Sequence, residues 1–346
     1  MKYRVREKTK TIIVCAAAFL ILFILPGCSS QLRDKRIPVK VLILPKFEVD
    51  KMSGDFSGEA QNFYEEYLAD GDVYEISGGS DANKLYYKNG VAMFLLGQGK
   101  INAAINTSAV LSDDRFDFSE AYILSVGCGG TAEEYGIFGD VFVISGAVDC
   151  DLGNWVDSRE LKDKTGTTWF RDKNFDDIAT VQLDQNLTDR VFNMVKDLKL
   201  ETTEKTVNFL HKQYPGEAWA DRPPEVMRGT SLTSDRYWKG IYGHQDALLI
   251  TKTYNCKDPY AITEMEDIAV AQAVEGFGLS DRLIILRTAV NMDVFPAGVT
   301  PEMLWKSDDY IATEDSMESV DIFETAMRNC FVTGKVLIDA ILEGTL

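Results

Sequence analysis

Histidine is almost missing from this chain: His211 and His244 are the only two in 346 residues. No pair of cysteines has zinc-ligand spacing either, so no His/Cys metal centre is expected. Positive charge is short as well. Lys and Arg number 36 against 54 Asp and Glu, a formal charge of −18. An acidic surface of that size repels phosphate backbones, which argues against a nucleic-acid partner. Apart from Ile12–Leu25, the apolar stretches are brief. Those around Val39–Leu44, Val91–Leu96, Tyr122–Val126 and Leu283–Leu286 suit buried strands and are far too short to span a membrane. A chain of this kind forms no transmembrane pore alone. A P-loop, a complete dinucleotide fingerprint, internal repeats and low-complexity tracts are all missing.

What is present begins with a leader. Residues 1–10 are basic, and Ile12–Leu25 is an unbroken apolar run of 14 residues. That falls short of the ~20 residues a spanning helix needs and fits the roughly 7–15 residues of a signal-peptide core. Leu25-Pro26-Gly27-Cys28 resembles the bacterial lipobox, whose cysteine becomes lipid-modified. The expectation is a lipoprotein signal peptide over 1–28 with Cys28 lipidated, a polar tether over 29–38, and an exported body held at the cell envelope. An uncleaved anchor helix is the alternative; it tethers the body too. Cys128, Cys150, Cys256 and Cys330 remain in the body. A disulfide is permitted outside the cytoplasm, but the sequence selects no pair.

With 45% hydrophobic and 26% charged residues, residues 39–346 can bury a large core. Strands expected at Val39–Leu44, Val91–Leu96, Ala121–Val126, Asp140–Val148 and Arg282–Leu286 alternate with helices at Glu59–Leu68, Ile101–Leu111 and Ile262–Phe277. A long helix over Met317–Leu342 closes the chain, with Gly334 a candidate break. Alternation of this kind predicts an α/β fold, a three-layer mixed sheet with helices on both faces. Residues 151–225 are more polar, with helices at Leu187–Lys199 and Thr202–Gln213. They read as a helical elaboration between core strands.

Five segments carry chemistry. Gly97-Gln98-Gly99-Lys100 joins a strand to a helix, where backbone can approach a ligand or simply pack tightly. Gly127-Cys128-Gly129-Gly130 follows a strand, where ligands of α/β sheets bind. Ser234-Asp235-Arg236-Tyr237-Trp238 puts aromatics after a polar loop. Glu264-Met265-Glu266-Asp267 brings carboxylates to the start of an apolar helix, as caps or as hydroxyl acceptors. Arg287-Thr288-Ala289-Val290-Asn291-Met292-Asp293 ends a strand at the same sheet edge.

The order of these segments resembles the nucleoside phosphorylase superfamily, and within it the purine nucleoside permease family. The resemblance runs over nearly all of 39–346 and implies a nucleoside phosphorylase-like fold. It implies that Cys128, Gly129 and Gly130 line the base and ribose, that Tyr237 stacks on the purine, and that Met265 packs under the sugar. Glu266 would accept the 2′ and 3′ hydroxyls. Asn291 stands where the superfamily contacts purine N7; an Asn donates a hydrogen bond there but supplies no proton, and Asp293 is a candidate substitute. Glu48 is the candidate for activating water. No cofactor is implied. Phosphate stays open as a co-substrate, with Lys46 its one obvious partner. Two readings follow. One is purine nucleoside recognition serving uptake, with a separate transporter carrying the solute. The other is an extracytoplasmic phosphorylase or hydrolase that cleaves the N-glycosidic bond. A homo-oligomer stays open in either.

Overall fold

Val41–Leu44 (β1) is four consecutive buried aliphatics, the signature of a strand covered on both faces. The computed structural model to which it belongs describes residues 36–79, 84–162, 167–306 and 317–346. The signal peptide, Cys28 and nearly all of the expected tether lie outside the described residues. Pro38–Leu346 folds as one unit.

After β1 come a short helix α1 (Gln61–Phe63) that continues as a π-helix over Tyr64–Leu68, then β2 (Asp72–Glu75), β3 (Lys84–Lys88) and β4 (Val91–Phe94). Helix α2 spans Lys100–Leu111, β5 spans Tyr122–Thr131 and β6 spans Val141–Asp149. The segment that follows carries a small antiparallel pairing of Asn154–Trp155 with Trp169–Phe170. Strand β7 (Thr180–Gln182), α3 (Gln185–Val195) and α4 (Glu204–Gln213) complete it. The chain then runs through β8 (Val226–Thr233), α5 (Ile241–Thr253), β9 (Tyr260–Glu264), α6 (Asp267–Gly276), β10 (Leu283–Met292) and α7 (Met317–Glu343).

The strands form one mixed sheet in the order β7-β6-β8-β9-β5-β1-β4-β3-β2, with β10 pairing β5 and β6. Those last pairings close a ring: β5, β10, β6, β8 and β9 each hydrogen-bond to two others of the five. The mixed helix-flanked sheet expected from the alternation is therefore present, and half of it curls into a barrel. Helices α1, α3 and α7 bury Phe63, Leu187, Val191, Leu337 and Ile338 against Val41, Ile43, Leu124 and Val126. Helix α6 packs on α2 and rests on β6, β7 and β8.

Three expectations need correction. Ile262–Phe277 is not one helix. Tyr260–Glu264 is a strand, and the helix starts at Asp267 because Glu264 Oε2 accepts the backbone N–H groups of Glu266 and Asp267 at 2.6 and 2.7 Å. Gly334 does not break α7: it gives room for the Phe63 ring, which a Cβ there would strike. Strands β5 and β10 run several residues past their expected ends, through the glycine run and through Asn291.

Candidate functional site

Strand β5 changes partner along one edge. Leu124 pairs with Ile43 of β1, while Gly130 pairs with Thr263 of β9. Residues 126 and 128 face the same edge, because backbone groups alternate along a strand, and neither β1 nor β9 pairs with them on that edge. Buried backbone groups need partners, and side chains supply them. Lys46 Nζ donates to the Val126 carbonyl at 2.9 Å, Glu59 Oε1 accepts the Cys128 N–H at 2.9 Å, and Arg287 Nη1 donates to the Cys128 carbonyl at 3.0 Å. The gap between two strands is thus filled by three charged groups.

These groups stand at the floor of a pocket of about 270 Å³. Arg287, 1% exposed, is its hub. The guanidinium meets Asp267 at 2.6 Å, Glu264 at 2.9 Å and Glu266 at 3.0 Å. Glu264 is further held by the hydroxyls of Ser231 and Thr233, at 2.6 and 2.5 Å. Its carboxyl is pushed up to about 7 by burial and the neighbouring Asp267 charge, with Arg287 opposing. Burial raises Glu59 as well and lowers Lys46, whose ammonium the Arg287 charge also disfavours. Four carboxylates, Glu59, Glu264, Glu266 and Asp267, thus surround two cations. Both cations are engaged: Lys46 Nζ also donates to Ser125 Oγ at 2.6 Å and to the Leu44 carbonyl at 3.3 Å.

Glu266 lines the pocket. Its Oε1 accepts the Gly99 N–H at 2.9 Å and its Oε2 accepts from Arg287 at 3.0 Å. Gly97 and Gly99 have φ of +74° and +87°, a backbone that side-chain-bearing residues rarely adopt. It turns the N-terminus of α2 towards Glu266 and towards Asp235 Oδ1, which accepts the Lys100 N–H at 2.9 Å. That helix end is therefore occupied by the protein's own carboxylates.

The opposite wall is neutral. Val290 is the bulged residue where β10 slips against β5, between Ala289 and Asn291, and the slip brings Asn291 into the pocket lining. A Cβ on Gly130 would strike both Asn291 Nδ2 and Asp293 Oδ1; one on Gly127 would strike Arg287 and Glu59. These glycines make room for the site's own side chains. Asp293 is 1% exposed, accepts from Thr263 Oγ1 at 2.9 Å, and is pushed up to about 8 by burial. Tyr237, 71% exposed, stands at the rim with Arg236, Trp238 and Met265. Arg236 stacks 4.1 Å over Trp155 and donates to Asp151, so the inserted segment reaches the pocket mouth.

Of the residues expected from sequence, Cys128, Gly129, Gly130, Tyr237, Met265, Glu266 and Asn291 come together around this one pocket. Asp293 lies behind the wall that Gly130 forms. Glu48 is not brought in: its carboxylate accepts the backbone N–H groups of Val49, Gly58, Ala60 and Gln61, which fixes the loop before α1 and leaves it no water to activate in the pocket. Lys46 lies at the pocket floor, its Nζ held by the Ser125 hydroxyl and the Leu44 and Val126 carbonyls. Glu59, which sequence reasoning placed inside a helix, is the carboxylate that lines the pocket near Lys46. Its only signal was an acid at the first position of the expected helix.

The fold is that of nucleoside phosphorylase-like proteins. The structure of a Helicobacter pylori futalosine hydrolase mutant matches with a TM-score of 0.54 and 14% identity, over 87% of this chain and 99% of that one. A Colwellia psychrerythraea 5′-methylthioadenosine/S-adenosylhomocysteine nucleosidase solved with adenine matches at 0.52 and 16%, over 90% and 96%.

Within that fold, the chain belongs to the purine nucleoside permease family, whose model matches residues 38–345. A probable purine nucleoside permease of Schizosaccharomyces pombe is 28% identical over 61% of this chain and 66% of its own length. A purine nucleoside permease of Candida albicans is 29% identical over 57% and 53%. The matched region spans about half to two-thirds of these relatives.

Proposed function

We propose that the pocket binds a purine nucleoside and that the chain serves nucleoside uptake at the cell envelope. Glu266 carries this reading. A carboxylate offers about four lone-pair positions, and this one has a single contact on each oxygen, with Gly99 and Arg287 fixing its plane. It can accept two vicinal hydroxyls without moving. The neutral Asn291 wall suits a base edge, and the volume is near the lower end of the roughly 300–1,000 Å³ of small-ligand sites. The names of the family and of its relatives support the same substrate class. No helix among the described residues is long and apolar enough to cross a membrane. In this reading the body is held through lipidated Cys28 and hands the nucleoside to a separate transporter. Calorimetry with the full-length protein tests it. Glu266→Gln should weaken adenosine binding by roughly 10- to 150-fold, the loss of a charged hydrogen bond, and should scarcely change 2′,3′-dideoxyadenosine. Equal losses for both would sink the assignment.

A second reading, hydrolysis of the N-glycosidic bond, is favoured by Glu59, a buried carboxylate at the floor with a raised pKa. The acidic excess there and the engagement of Lys46 and Arg287 favour water over phosphate as the attacking group. Release of free adenine at a rate independent of phosphate supports this reading; binding without release supports uptake alone.

A further inference from the structure

The neutral end of the pocket conceals a carboxyl group that nucleoside binding, as argued above, does not use. Asp293 has two unequal oxygens. Oδ1 lies 2.9 Å from Thr263 Oγ1, while Oδ2 is buried with no hydrogen-bond partner among the described residues. Thr263 Oγ1 also lies 3.2 Å from the Gly130 carbonyl. A hydroxyl has one proton to give and a carbonyl can only accept. If Thr263 gives its proton to Gly130, its lone pair is left for a proton from Asp293. The three groups then form one directed chain, and they do so only when Asp293 is protonated.

The groups facing Asp293 come from two other segments. Lys239, just before α5, favours the ionised form; Glu134, after β5, opposes it. Glu134 is paired in turn with His244 of α5, 2.7 Å away. Burial, reinforced by Glu134, outweighs the Lys239 charge and holds the carboxyl up at about 8. Asn291 shares the wall: its Nδ2 and Asp293 Oδ1 crowd the same point beside Gly130. An ionised carboxylate there is an acceptor with spare lone pairs next to an amide donor.

We propose that Asp293 is a positioning residue for Asn291: protonated, it closes the chain through Thr263 to Gly130 and leaves the Asn291 amide to the ligand; ionised, it draws that amide to itself. Purine affinity then falls as the pH rises through the titration of Asp293. This rests on the purine-binding reading of the same pocket.

The test is calorimetry on the full-length protein at about pH 6.5 and pH 9, with adenosine, whose base does not titrate in that interval, and with 7-deazaadenosine, which lacks the N7 acceptor. Wild-type affinity for adenosine should drop roughly three- to tenfold, the worth of a neutral hydrogen bond, and 7-deazaadenosine should bind equally at both values. Asp293→Asn, a neutral isostere, should bind adenosine with no pH dependence. So should Asn291→Ala, at lower affinity. A flat wild-type profile overturns the proposal. So does a drop that Asp293→Asn or 7-deazaadenosine shares, which would move the titration to Glu264, and so does an Asp293→Asn protein that binds adenosine at neither pH. Wild type that binds adenosine at neither pH defeats the purine-binding reading itself, so the two failures are told apart by the first titration.

Discussion

The two walls of the pocket solve the burial of acids in opposite ways. On one side four carboxylates are packed around Arg287 and Lys46: Glu59, Glu264 and Glu266 accept hydrogen bonds from backbone or hydroxyl groups, and Asp267 accepts from Arg287. On the other side Asp293 is as deeply buried, with the Thr263 hydroxyl on one oxygen and no hydrogen-bond partner among the described residues on the other. Burial alone penalises any charge. Partners decide the outcome: the acids of the first wall share the Arg287 guanidinium in a rigid network that opposes the effect of burial, while burial pushes Asp293 up to about 8. A charged wall suits sugar hydroxyls, and a neutral one suits a base edge.

Removing the hub should give the largest effect. Arg287→Met leaves Glu264, Glu266 and Asp267 facing each other without their shared cation. Breaking a buried ion network by deleting one partner typically costs about 3–5 kcal/mol. Denaturant unfolding should show a loss of that size, much reduced at acid pH where the carboxylates protonate. A loss below about 1 kcal/mol would mean that the network contributes no more than a surface pair.

The neutral wall predicts the reverse behaviour. Unfolded Asp titrates near 3.9, and folded Asp293 titrates at about 8. Between those values the folded state keeps a proton that the unfolded chain has released, so stability falls as pH rises through that window and levels off above it. Asp293→Asn removes the effect. Relative to wild type the variant should gain stability from about pH 4 to pH 8, reaching about a few kcal/mol, as read by urea unfolding across the series. A constant difference between the two proteins would place Asp293 in its ionised form throughout.

The two walls were not equally legible in the sequence. Met265, Glu266 and Asn291 could be found because their motifs sit at the ends of regular elements, and their order along the chain resembles a family pattern. The alternation of apolar runs with helical stretches was enough for the mixed sheet. Closure into a barrel was not, because it depends on which edge β10 finds, and periodicity carries no pairing information. Strand β8 was hidden for a related reason. Ser231 and Thr233 look like loop residues, but their hydroxyls are spent on Glu264 inside the barrel. Glu59 was missed because its role comes from the partner change on β5, a feature of three strands distant in sequence. Glu48 was the expected water-activating acid, but the amides of its own loop engage its carboxylate.

The smallest effect belongs to the rim, which sharpens the contrast between buried and exposed contributions. Tyr237 is 71% exposed and lines the mouth beside Trp238. An aromatic contact with a base is worth about 0.5–1.5 kcal/mol beyond area burial, and half-solvated stacking belongs at the lower end. Tyr237→Ala should therefore weaken adenosine binding about fivefold or less. Tyr237→Phe, which keeps the ring, should change it hardly at all. Neither variant should alter the discrimination against 2′,3′-dideoxyadenosine, because that is set by Glu266 on the far wall. Parallel titrations of the two nucleosides check this. If Tyr237→Ala instead costs as much as Glu266→Gln, the rim closes over the base and is no longer solvated in the complex. If it costs nothing, the base lies wholly between the Asn291 wall and Met265, and Tyr237 is not part of the site.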